Sequence, residues 1–130
     1  MQGSKRISGL LLAVAVALAV AVPTVWAASG TRIALKPSKA FPAAKGAATF
    51  NAKPGERELQ VEVEHIRRLA GKRVVFVVAG AKVGTAKVSA LGAAEITRNN
   101  ERGQRVPAVR AGTKVKVRSI GGSLIVSGSF

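Results

Sequence analysis

From Glu58 to Glu64 apolar and polar residues alternate without a break. Leu59, Val61 and Val63 fall on one face; Glu58, Gln60, Glu62 and Glu64 fall on the other. Period-2 alternation marks a strand with one buried and one wet face. Lys53-Pro54-Gly55-Glu56, just before it, reads as a turn. Pro presets φ at the first turn position, and Gly accepts positive φ at the next. Gly46 to Asn51 then supplies the other strand of a hairpin. Arg73 to Ala79 is apolar on both faces, which predicts a central strand covered on both sides. Thr113 to Arg118 alternates again, with Lys114, Lys116 and Arg118 on one face and Thr113, Val115 and Val117 on the other. Val83–Ala90, Ala93–Arg98 and Ser123–Phe130 complete the set, separated by turns at Ala79-Gly80, Leu91-Gly92 and Gly121-Gly122. Some seven or eight short strands at intervals of roughly 8–12 residues predict an all-β domain. The expected architecture is a small antiparallel β-sandwich, immunoglobulin-like or related, with a small β-barrel as the alternative.

The first 27 residues follow another pattern. Lys5 and Arg6 precede an uncharged apolar run from Gly9 to Val22, Pro23 ends it, and Val25-Trp26-Ala27 places small or aliphatic residues at the −3 and −1 positions of a cut. This is the layout of a secretory signal peptide cleaved near Ala27. The run is short for a spanning helix, so no transmembrane segment is expected after cleavage. The organisation expected is a leader over 1–27, an irregular arm or edge strand over 28–45 containing Pro37 and Pro42, and one all-β domain over 46–130. The location expected is the periplasm or the medium. Thr97 to Gly112 is the one long connection, and long loops are disproportionately functional.

The chain has no Cys, so no disulfide or thiol chemistry is available. Loss of Lys5 and Arg6 takes the formal charge from +15 to +13, an imbalance that favours polyanions as partners. Arg98, Arg102, Arg105, Arg110, Lys114, Lys116 and Arg118 crowd into one segment with a single acid, Glu101. If the connection and the strand face pack side by side, they form one anion-binding patch, in which the planar Arg fork suits phosphate and carboxylate. The bland alternative is a solvated face balanced by Glu58, Glu62 and Glu64 on a neighbouring strand.

Other chemistries lack residues. His65 continues the inward parity of Leu59, Val61 and Val63, which suits a structural His better than a general base. There is no Gly-x-Ser-x-Gly elbow, and the strand acids share one face instead of flanking a cleft. No catalytic residues are assigned. Glu62 and Glu64 point away from His65, and the chain has no Asp, so no metal site or cofactor is expected. Sequence-specific nucleic-acid binding is not expected either, because aromatic residues are scarce in the basic segment and bases would have little to stack on.

Three pieces carry a resemblance to small exported bacterial β domains of the chordin-like kind. They are Gly46–Phe50 with Leu59–Ile66; Val83–Ala86 with Gly92–Ile96; and Val106-Pro107 with Ala111–Thr113 and the closing Gly122–Phe130. Together they span most of 46–130. The resemblance implies a sandwich without catalytic residues. The chordin-like pattern usually has a His-rich stretch in mid-domain and a His before the last strand; here Val77-Val78-Ala79 and Val117-Arg118-Ser119 hold none, so no metal role carries over. The expected function is a non-enzymatic binding or adhesion module with a basic surface for an anionic polymer or lipid surface. One alternative is a structural protein that meets a protein partner through sheet edges, the Pro-containing arm and the C-terminal strand being the candidates. Another is a small exported inhibitor.

Overall fold

The computed structural model describes residues 30–130; the expected leader and its cut lie outside them. Eight strands follow in order: β1 Thr31–Pro37, β2 Lys45–Lys53, β3 Glu56–Glu64, β4 Arg73–Val78, β5 Ala81–Lys87, β6 Ala94–Asn99, β7 Lys114–Ser119 and β8 Leu124–Ser129. They form one antiparallel sheet in the order β5-β4-β7-β8-β1-β2-β3-β6. The sheet curls until its two edges, β5 and β6, approach each other. The fold is therefore all-β and shaped as a barrel with one open seam, which matches the barrel alternative.

Alternation places the core inside. Leu59, Val61 and Val63 of β3, Val74, Phe76 and Val78 of β4, and Val115 and Val117 of β7 are fully buried. The β2–β3 hairpin turns at Pro54-Gly55, with Gly55 at φ 80°. The β4–β5 hairpin turns at Ala79 (φ 54°) and Gly80 (φ 79°), the two positive φ values that match a tight turn to strand twist.

Both barrel ends are closed by connections. At one end Phe41 and Ala44, between β1 and β2, pack with Ile66. At the other, the segment after β6 crosses to β7 and inserts Val106 and Val109 into the core. The long connection is thus a lid whose two valines face in, while Arg105, Ala108 and Arg110 face out.

Four expectations are corrected. Thr31–Pro37 is neither an arm nor an edge; it pairs with β2 along Thr31–Leu35 and with β8 at Lys36 and Pro37. The C-terminal strand is also internal, between β7 and β1. Arg73–Val78 is next to an edge and buried on one face only, leaving Val75 and Val77 half-exposed on the outside. His65 is exposed: β3 ends at Glu64, His65 takes a positive φ of 61°, and Ile66 fills the buried place instead.

Candidate functional site

The structure does not gather the seven basic residues into one patch. Arg98 lies within β6, as the register partner of Leu59, and so shares the inward parity of the core. Its side chain turns to the seam, where Nε donates to the Val83 carbonyl at 3.0 Å and Nη1 to the Thr97 carbonyl at 3.1 Å. A charged residue pointing inward from an edge strand discourages foreign strands from adding there. Two local features make the contact. A bulge in β5 leaves Val83 as an extra residue between the Phe76–Gly84 and Val77–Lys82 pairs. Gly84 supplies the room: a Cβ built there would lie 2.3 Å from Arg98 Nη2.

An Arg98→Met variant keeps the aliphatic stem but loses both seam hydrogen bonds. Expected is a stability loss of about 1–3 kcal/mol, with amide exchange accelerated chiefly in β5 and β6. Unchanged exchange in both edges would refute the role given to Arg98.

Arg102 sits on a single 3₁₀ turn, Asn100–Arg102, beside the β2–β3 hairpin, where Asn100 Oδ1 accepts from the Arg57 amide at 2.7 Å. Arg110 and Lys114 lie near the β4–β5 turn, since the Ala79 amide donates to the Lys114 carbonyl at 2.9 Å. Lys116 and Arg118 project from the outer face of β7. The register then recruits cations that no local pattern singled out. Lys116 pairs with Val77, which pairs with Lys82; on its other side Lys116 pairs with Ser127, which pairs with Lys36. Cross-strand partners share a face, so Lys36, Lys116 and Lys82 form a row across the sheet. Each is two strands from the next, about 10 Å at ordinary strand spacing. Arg118 and Val75 form a second row, and Arg73 opposite Lys87 a third.

The acids lie elsewhere. All six are Glu, at 56, 58, 62, 64, 95 and 101, on β3, on β6 and on the 3₁₀ turn after β6. They are not neighbours of the basic face of β7, because β3 pairs with β2 and β6; across the seam Glu62, Glu64 and Glu95 share a hollow with Lys87 at the end of β5. Glu62 instead meets Arg32 of β1 at 3.0 Å, and Gln60 Nε2 donates to Glu95 Oε2 at 3.1 Å. The barrel wall formed by β5, β4, β7 and β8 carries cations and no acid. At its centre Val75 and Val77 add a half-exposed apolar strip.

Lys82, Arg98 and Arg105 also converge on a cleft of about 480 Å³ at the lid end of the seam, with Val78, Ala79, Ala81, Val83 and Pro107 as its other walls. Among the described residues no cluster of His, Cys, Asp or Glu is arranged to hold a metal ion, and no helix is long and apolar enough to cross a membrane. In comparison with known proteins, no family model matches the chain, and no curated protein matches it in sequence.

Proposed function

We propose that this chain is an exported, non-catalytic binding domain that holds anionic polymer of the cell envelope or its surroundings on the outer wall of β5, β4, β7 and β8. One observation carries the reading: the chain's acids are confined to β3, β6 and the turn after β6, which leaves a cationic wall with no carboxylate of its own. A counter-ion from another molecule is then the partner that wall lacks. The row Lys36–Lys116–Lys82 favours a polymer lying across the strands. The half-exposed Val75 and Val77 give the polymer's backbone an apolar surface to lie on.

The test is binding of the protein to heparin, teichoic acid, lipopolysaccharide and anionic vesicles at low salt and at about 0.15 M salt. Expected is retention of at least one polymer at the higher salt. Weak binding to every member, lost with salt, would refute the reading and leave the charge a solubility device.

A further inference from the structure

The seam cleft meets the basic wall at Lys82 and differs from it in holding Arg98 and Arg105. Its three basic side chains come from separate parts of the chain: Lys82 from β5, Arg98 from β6 and Arg105 from the lid. No acid lines it. Arg98 is anchored by its bonds to the Val83 and Thr97 carbonyls, which leaves Nη2 without an acceptor among the described residues. Lys82 and Arg105 likewise have no hydrogen-bond or ion-pair partner among the described residues. An oriented guanidinium and two unpartnered cations around one hollow match a tetrahedral oxyanion, whose several oxygens accept from several directions. The remaining walls are Val78, Ala79, Ala81, Val83 and Pro107. They suit an apolar body, not a second charged group. At about 480 Å³ the cleft lies in the range of small-molecule sites.

We infer that the seam cleft binds a small phosphate or sulfate ester with a compact apolar body, its oxyanion held between Lys82, Arg98 and Arg105. The Gly84 position supports this geometry. The Arg98 guanidinium lies where a β5 side chain would otherwise stand, so the missing Cβ is what sets the cation beside the cleft. Polymer on the outer wall and an ester in the cleft would share Lys82, but Arg98 and Arg105 belong to the seam and the lid alone, so their variants report on the cleft.

The experiment is a titration of the isotopically labelled full chain with phenyl phosphate, phenyl sulfate, inorganic phosphate and phenol, followed by amide NMR at moderate salt. Expected is saturable binding of phenyl phosphate or phenyl sulfate, with the largest shifts at Lys82, Val83, Arg98 and Arg105. The two esters tell phosphate from sulfate as the preferred head group. Inorganic phosphate should bind more weakly at the same amides, and phenol should leave them unmoved. Arg105 is exposed and bonded to nothing described, so Arg105→Gln should fold normally and weaken ester binding about tenfold. Gly84→Ala, which pushes Arg98 out of place, should weaken it similarly while the core shifts stay native. The inference is overturned if the esters bind no better than phenol, if the shifts centre on Lys114–Ser119, or if Arg105→Gln binds as the parent does. Heparin retention measured on the same sample reads the outer wall separately.

Discussion

Phe76→Ala should remove about 3–5 kcal/mol of stability, the usual cost of truncating a fully buried Phe. That is a large fraction of the roughly 5–15 kcal/mol available to a domain of this size. The site explains why relaxation will not rescue it. Phe76 is fully buried, with Gly84 opposite it on β5 and Val117 opposite it on β7. Gly84 has no side chain to slide into the void, and β-branched Val117 has little rotamer freedom to follow. The Arg98 guanidinium lies over Gly84, so the cavity opens beside a cation held at the seam. Urea unfolding should show a much lower midpoint at an unchanged slope. A loss below about 1 kcal/mol would mean that the wall between β5 and β7 collapses freely, against the packing described.

Neutralising two lysines of the outer-wall row together with Arg118 of the next row should have the largest effect on binding. Lys36→Gln, Lys116→Gln and Arg118→Gln together should weaken polymer affinity on the order of 100-fold near physiological salt, at about 1 kcal/mol per cation at an anionic surface. The slope of log affinity against log salt should fall by about three. Stability should change little, because these are surface positions without buried partners. The control is Lys45→Gln, Lys53→Gln and Arg57→Gln, on the half of the barrel that holds the acids. It removes the same net charge and should cost affinity no more than about threefold. Equal losses from both sets would mean that total charge matters and location does not.

Faces were legible in the sequence; neighbours were not. The alternation in Leu59–Val63 and Val115–Val117 marks which residues are buried, and Pro54-Gly55 marks a hairpin, because both follow from periods and turn chemistry within a few residues. Pairing between β7 and β4, or between β1 and β8, joins segments far apart in sequence. Nothing local announces it, so Lys36 and Lys82 could not be placed beside Lys116. Arg73–Val78 misled for a related reason. A run of valines is consistent with two covered faces, whereas here one face is the barrel's outside, where Val75 and Val77 lie among cations. His65 broke the expected parity because a positive φ at the end of β3 rotates the chain by one residue. Arg98 falls where the expected strand Ala93–Arg98 overlaps the long connection from Thr97, and neither reading shows that it closes the β-seam, an arrangement created by a bulge and a glycine on another strand.

The position of β8 between β7 and β1 has a kinetic consequence. Pro37 near one end of the described chain pairs with Val126 near the other, a contact of very high sequence separation that slows folding. A chain delivered amino end first holds β1 and β7 ready but unjoined until Leu124–Ser129 emerges. β8 is then the stave that joins the two halves of the barrel, so folding is completed only when Leu124–Ser129 is available to pair.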